Sequence, residues 1–255
     1  MWDNMVNFRL DDLEINNIEL IIFDKDGTLV DLYHYWSQMT SLRSKLICEK
    51  LKLDLSHKKR LDLIMGVDEK EKKLREDGPV GVKKREIVMQ VAIDYLESYS
   101  FDNVYKICFN AFEEVNEISS SKLSKLIKPI NGLYELFENL VKSSCKIAIA
   151  TTDTYTRTKL IMDYLDLRDK TDYIIGADLV KECKPSPEMI NKILKDLSIE
   201  KEKTIMVGDA ITDIEMGLNA KIKASVGVCT GLNPREKLLE KTKYVINDIS
   251  EIRIV

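Results

Sequence analysis

The chain has 255 residues, of which 32% are charged, and a formal net charge of −4. That length can bury one large core with an insertion or two modest cores. The near-balanced charge excludes a global basic field for nucleic acid or an anionic membrane surface. Five scattered cysteines (Cys48, Cys108, Cys145, Cys183 and Cys229) show no paired metal spacing, so they read as buried thiols in a reducing compartment. The start has no signal-peptide pattern and no apolar run is long enough to span a bilayer, which gives the expectation of a soluble, cytoplasmic protein.

Residues Met1 to Asn17 alternate polar and apolar positions without a clear period, and are expected to form an extension packed on the body. The first strand is predicted from about Ile18 to Phe23. It runs into Asp24-Lys25-Asp26-Gly27-Thr28, so a buried strand delivers two carboxylates to a sheet edge. Asp24 can attack phosphorus and Asp26 can pass a proton to a leaving oxygen, while Gly27 permits a tight turn. The plain alternative is a strand followed by an Asp-Gly turn.

From about Tyr33 to Ile127 nearly everything reads as helix. One irregular loop, Glu76-Asp-Gly-Pro-Val-Gly-Val82, is bracketed by Lys72, Lys73, Arg75 and by Lys83, Lys84, Arg85. Arg43 to Arg85 holds fourteen Lys/Arg against eight Asp/Glu, and Glu86 to Leu126 three against seven; both runs are expected to be solvated helix surfaces.

Lys128-Pro129-Ile130-Asn131-Gly132 closes the helical block, and strands and helices alternate from there to the end. Strands are predicted at Cys145 to Ala150, near Tyr173 to Ile175, and at Thr204 to Val207, Ala224 to Val228 and Tyr244 to Ile246. Helices are expected at about Leu133 to Val141, Thr156 to Tyr164, Pro187 to Asp196, Ile211 to Leu218 and after Pro234. Repeated βα units with near-continuous apolar strands imply an α/β fold, a parallel sheet with helices on both faces. Right-handed crossovers place every strand's carboxyl end on one edge. The expected domains are residues 1–32 with 128–255 as the core and 33–127 as an inserted helical cap.

Three more stretches fall at that edge. Ile147-Ala-Ile-Ala-Thr151-Thr152-Asp153 ends a strand on two hydroxyls able to hydrogen-bond a phosphate, although Thr151 also reads as a β-branched strand end and Asp153 as a helix N-cap. Lys184, before Pro185, stands near a helix start, as a phosphate-facing lysine or a surface one. Asp209 follows the strand Ile205 to Val207, and Asp213 lies about one helical turn on, so both carboxylates can face one point. Converging on Asp24 and Asp26 they need a cation, and an all-oxygen donor set selects Mg²⁺.

Asp24-Lys-Asp26-Gly-Thr28, Thr151, Lys184 and Gly208-Asp209…Asp213 resemble, in order and spacing, the four motifs of the haloacid dehalogenase-like hydrolase superfamily. The resemblance runs from about Ile18 to the C-terminus and is closest in look to its phosphoglycolate phosphatase and β-phosphoglucomutase branch. It implies a Rossmann-like parallel-sheet core with an inserted α-helical cap domain, with Asp24 as the nucleophile that becomes an aspartyl phosphate and Asp26 as general acid and base. It implies a Mg²⁺ held by Asp24, the Asp26 carbonyl, Asp209 and Asp213. Thr151 and Lys184, with Thr28 and Thr152, would contact the phosphoryl oxygens of a small phosphorylated metabolite. Among the rivals, a haloalkanoate dehalogenase needs neither Asp26 nor the Asp209/Asp213 pair, and a P-type ATPase needs membrane spans. A phosphomutase shares all four motifs, and an idle binding module would keep the fold but lose a carboxylate. Substrate choice would come from the cap, with His34, Tyr35, Trp36, Lys83, Lys84 and Arg85 as candidates, each also readable as packing or solvated surface. At least one of the three basic residues is expected to reach the site in a closed form. The oligomeric state is not encoded in any of these patterns.

Overall fold

The computed structural model describes residues 5–10 and 12–255. The chain divides into two compact units, Met1–Asp31 with Pro129–Val255, and Leu32–Lys128. In chain order the first unit opens with β1 (Val6–Leu10), β2 (Leu13–Ile18) and β3 (Leu20–Phe23). The second unit holds α1 (Leu32–Leu51), α2 (Leu55–Met65), β4 (Val67–Asp68), β5 (Lys73–Leu74), α3 (Arg85–Glu97), α4 (Val104–Ser120) and α5 (Leu123–Leu126). The first unit resumes with α6 (Leu133–Lys142), β6 (Lys146–Ala150), α7 (Tyr155–Tyr164), β7 (Tyr173–Ile175), α8 (Glu188–Leu197) and β8 (Thr204–Gly208). It ends with α9 (Ile211–Ala220), β9 (Ala224–Val228), α10 (Arg235–Leu239), β10 (Val245–Ile246) and β11 (Arg253–Ile254).

The expected α/β architecture is present: six strands in the order β10-β9-β8-β3-β6-β7, with every described pairing parallel. β3 sits between β6 and β8, with Phe23 opposite Ile149 on one side and Val207 on the other. The chain builds outward from β3 through β6 and β7, then returns to β8 and builds the other way, so the crevice at the carboxyl ends of β3 and β8 is the switch point where open α/β sheets take ligands.

All four residues of β3 are fully buried, as a central parallel strand covered on both faces requires. Alternation splits them. Leu20 and Ile22 join Met189, Ile190 and Ile193 of α8 and Met216 of α9 in one core cluster, and Phe23 stacks on Phe137 of α6 at 5.7 Å between ring centroids. Helix α8 shows how sequence sets this up: Met189, Ile190, Ile193 and Leu194 recur at helical spacing and are the buried positions. Each such side chain taken from water contributes about 1.5–3 kcal/mol, so the strand that carries the acidic motif is firmly seated in the sheet.

Three expectations need correction. Of the first seventeen residues, Met1 to Asn4 and Asp11 lie outside the described residues. The rest is not an unpatterned extension: β1 pairs antiparallel with β2 and with β11, forming a separate three-stranded sheet. Phe8, Leu10, Ile15 and Ile18 supply its buried face; an irregularity of register between Val6 and Phe8 breaks the period that would have shown it. The helical block is also interrupted earlier than expected, by the short antiparallel pair β4-β5. There Gly66 takes φ +112° as the cap of α2, and its Cα would lie 2.4 Å from a Cβ placed on Gly78. Such a backbone approach admits only glycine at both places. Cys48, Cys108 and Cys145 are buried thiols, but Cys183 and Cys229 are only half-buried. No helix among the described residues is long and apolar enough to cross a membrane.

Candidate active site

Asp24 follows the last residue of β3, and its backbone N–H donates to Val207 O at 2.9 Å, so the ladder to β8 carries on through it. Asp209 follows the last residue of β8, and the two carboxylates therefore leave adjacent strand ends. Asp213 lies in the first turn of α9, where its Oδ2 accepts from Ala210 N at 3.0 Å, a carboxylate answering an otherwise unpartnered helix amide. Oxygens of Asp24, Asp209 and Asp213 all come within 4.8 Å of one another, and all three residues are buried.

Lys184 supplies the opposite charge. Its Nζ donates to Asp24 Oδ1 and to Asp213 Oδ1, both at 2.6 Å, with its side chain only 3% exposed. Burial alone would strip its proton, but the carboxylates of Asp213 and Asp24 outweigh this and hold its pKa above the ordinary lysine value. Three carboxylates facing one ammonium leave two negative charges in excess. Two such charges 4.8 Å apart repel by about 3–4 kcal/mol at an effective dielectric near 20. The strain shows at Asp209, whose carboxyl is raised well above its usual range by burial first and then by Asp24 and Asp213. An all-oxygen, charge-deficient pocket of this kind fits a hard divalent cation.

The loop after β9 wraps Asp209, and sequence reasoning missed it. Leu232 N donates to Asp209 Oδ2 at 2.6 Å, and Thr28 Oγ1 to Asp209 Oδ1 at 3.4 Å. A Cβ on Gly231 would stand 1.9 Å from Asp209 Oδ2, and one on Gly27, at φ +96°, 2.5 Å from the same carboxyl. These glycines let backbone close over a carboxylate that side chains would push aside. Thr230 Oγ1 donates to Gly27 O, tying the loop to the turn after Asp26. The only signal was position: Cys229-Thr-Gly-Leu-Asn follows a parallel strand at the same sheet edge.

Asp26 points elsewhere. Its Oδ1 accepts from Lys25 Nζ at 2.6 Å, whereas its Oδ2 is buried with no hydrogen-bond partner. Burial pushes this carboxyl up to about 6, with Lys25 opposing the rise. Lys25, which the sequence offered no role, is fully buried. The expectation of Asp153 as a helix N-cap is corrected: Thr154 caps α7, accepting from Arg157 N, while Asp153 Oδ2 lies 3.2 Å from Lys25 Nζ.

Thr151 is buried at the end of β6, its hydroxyl accepting from Asp153 N at 3.1 Å, and Thr152 is half-buried beside it. In the second unit, His34 Nε2 lies 2.9 Å from Lys125 O, Tyr35 is buried edge-on to Trp36, and Arg85 pairs with Glu113 and lies over Phe112. Lys83 is exposed and Lys84 half-buried at the start of α3.

A family model described as haloacid dehalogenase-like hydrolase matches residues 21–227. A phosphorylated carbohydrates phosphatase of Thermotoga maritima is 27% identical over 246 residues, 92% of this chain and 100% of that protein. Pyrophosphatase PpaX of Halalkalibacterium halodurans is 37% identical over 102 residues, 40% of this chain; the match spans about half of that relative (47%). Among solved structures, a predicted phosphoglycolate phosphatase from Haemophilus somnus superposes with a TM-score of 0.71 at 17% identity, covering 92% of this chain and 96% of the other. A β-phosphoglucomutase from Clostridium difficile does so with a TM-score of 0.65 at 22% identity, covering 92% of each. At these identities the structural matches establish the fold.

Proposed function

The chain belongs to the haloacid dehalogenase-like hydrolase family, and on that premise we propose that it is a Mg²⁺-dependent phosphatase of small phosphorylated metabolites. The observation that carries this is Lys184 Nζ seated 2.6 Å from both Asp24 and Asp213, with Asp209 in the same oxygen cluster. Asp24 is the nucleophile: a carboxylate oxygen attacks phosphorus and the bond to the leaving oxygen breaks. Asp26 gives that oxygen its proton from Oδ2, the buried oxygen that no protein group occupies, and then takes a proton from the water that attacks the aspartyl phosphate. A carboxyl raised to about 6 can do both near neutral pH. Lys184, Thr151 and Thr152 orient the phosphoryl oxygens, with Thr28 at the rim of the Asp209 cluster; positioning and charge neutralisation supply most of the catalysis in phosphoryl transfer.

Asp24, Asp209, Asp213 and the backbone carbonyl of Asp26 would hold the Mg²⁺. When bound it would cancel the two excess negative charges and polarise a phosphoryl oxygen.

Residues 32–128 serve in this reading as the cap that selects the organic half of the substrate, and the five thiols suit the reducing cytoplasm. The full-length likeness to a phosphatase of phosphorylated carbohydrates favours sugar phosphates among the substrate classes. The second reading, a phosphomutase, uses the same residues and returns the phosphoryl group to the sugar; the likeness to β-phosphoglucomutase favours it at the level of fold. Release of inorganic phosphate from p-nitrophenyl phosphate with Mg²⁺, abolished in Asp24→Asn, tests the phosphatase reading. A panel of phosphomonoesters then ranks substrates. Hexose-phosphate isomerisation without phosphate release would transfer the assignment to the mutase.

A further inference from the structure

We propose that Lys25 is a positioning residue that fixes which oxygen of Asp26 carries the catalytic proton; the proposal rests on the phosphatase reading above. A lysine with no exposed surface is rare unless its charge is matched. Here the matching is two-sided: Nζ is 2.6 Å from Asp26 Oδ1 and 3.2 Å from Asp153 Oδ2. Asp153 is itself held, since its Oδ1 accepts from Thr154 N at 2.8 Å, its N–H donates to Thr151 Oγ1, and its carbonyl accepts from Ala177 N at 2.9 Å. The strand-end loop of β6 therefore anchors the ammonium, and the ammonium anchors Asp26.

An ammonium has three donors and no acceptor. While Nζ donates to Oδ1, that oxygen can only accept, so the carboxyl proton of Asp26 must reside on Oδ2. Oδ2 is the oxygen left buried and unpartnered. Such a group costs about 1–3 kcal/mol in the absence of a partner, a cost that a hydrogen bond to the substrate's leaving oxygen would remove. Without Lys25 the carboxyl can turn, and the proton can sit on either oxygen.

In the first half-reaction Asp24 forms its bond to phosphorus, the bond to the leaving oxygen breaks, and that oxygen takes the Oδ2 proton. In the second, water forms its bond to phosphorus, gives a proton to Asp26 Oδ2, and the Asp24–phosphorus bond breaks to release phosphate. A leaving group as stable as p-nitrophenolate needs little help in the first half-reaction, but every substrate needs the second. Misplacing Asp26 should therefore leave a stalled aspartyl phosphate.

The test is stopped-flow release of p-nitrophenolate from p-nitrophenyl phosphate and of phenol from phenyl phosphate, with Mg²⁺, for the wild type and Lys25→Met. The variant should give a burst of about one nitrophenolate per enzyme followed by slow turnover, and its first turnover on phenyl phosphate should slow by roughly a hundredfold or more, the scale of a lost positioned acid. Lys25→Arg, which keeps a charged donor between Asp26 and Asp153, should recover part of the steady rate. Equal slowing on both esters without a burst would mean a purely structural role and would overturn the proposal, as would unchanged kinetics. If Lys25→Met does not fold, the double variant Lys25→Met with Asp153→Asn carries the same test: it removes the ammonium together with the carboxylate that would be left unpaired, and a burst must again appear. A wild type that turns over neither ester overturns both readings, whereas an active wild type with burst-free variants overturns this one alone.

Discussion

Asp24 and Asp213 share one ammonium: Lys184 Nζ lies 2.6 Å from Oδ1 of each. The strand that leads into Asp24 and the first turn of α9 are thereby locked together by a group from a third segment. Lys184→Met should lower phosphate release by about 10²–10³-fold, the usual cost of a lost charge-stabilising donor. Breaking a buried pair also leaves uncompensated charge worth about 3–5 kcal/mol. Thermal unfolding together with steady-state kinetics would measure both, and wild-type turnover in the variant would remove Lys184 from the mechanism.

The metal-free protein should be strained by its own carboxylates. Asp209, raised well above its usual range, and Asp26, raised to about 6, both hold protons more tightly folded than unfolded. The stability tied to those protons is fully present below about pH 4 and lost as pH rises through the folded values. Asp209→Asn removes the crowded charge with little change of shape. With chelator at pH 8 the variant should be more stable than the wild type, because burial and the neighbouring Asp24 and Asp213 hold the Asp209 carboxyl well above its usual range, and the gap should close near pH 4. Excess Mg²⁺ should reverse the order, since ligand at a hundred times its Kd adds about 2.7 kcal/mol. Identical melting curves with chelator at pH 8 would contradict this.

Gly231 tests the loop over Asp209. A methyl group there would stand 1.9 Å from Oδ2, so Gly231→Ala must push the loop or the carboxylate away. The expected result is a rise of roughly tenfold to a hundredfold in the Mg²⁺ concentration needed for half activity, the range seen when groups supporting metal ligands are disturbed, with a small change in melting temperature. Calorimetric titration with Mg²⁺ would decide it.

Phe137 offers the opposite case. It stacks on Phe23 from α6, fully buried and on a helix that contributes none of the proposed site residues. Phe137→Ala should cost about 3–5 kcal/mol, visible as a lower denaturant midpoint, while kcat of the folded fraction stays within a few-fold. A loss of kcat larger than the loss of folded protein would show that β3 shifts with its packing.

How much of this was legible depends on where each signal resides. The strands of the parallel sheet are runs such as Leu20-Ile-Ile-Phe23 and Thr204-Ile-Met-Val-Gly208, buried on both faces, so continuous apolarity revealed them. Asp24 and Asp209 stood out as carboxylates directly after such strands, and Asp213 as a third about one helical turn beyond Asp209. The hairpin of β1 and β2 was hidden because its third strand, β11, comes from the far end of the chain and its register is irregular. Lys25 gave no sign, since a lysine is buried only when its partners are present and Asp153 is distant in sequence. Thr230 and Gly231 act through a hydroxyl and a missing side chain, which leave no mark in charge or hydropathy.

Where the polypeptide leaves the first unit and where it comes back are stapled side by side. Ile130 N donates to Leu29 O at 2.9 Å, and Val30 bridges Pro129. Both bonds belong to the first unit, so residues 32–128 hang from a closed doorway, and exchanging them for a foreign segment or a short linker costs little loop entropy. The sheet with its acidic cluster should then fold without its guest, so that evolution can trade the whole insert while the acidic strand ends stay unaltered.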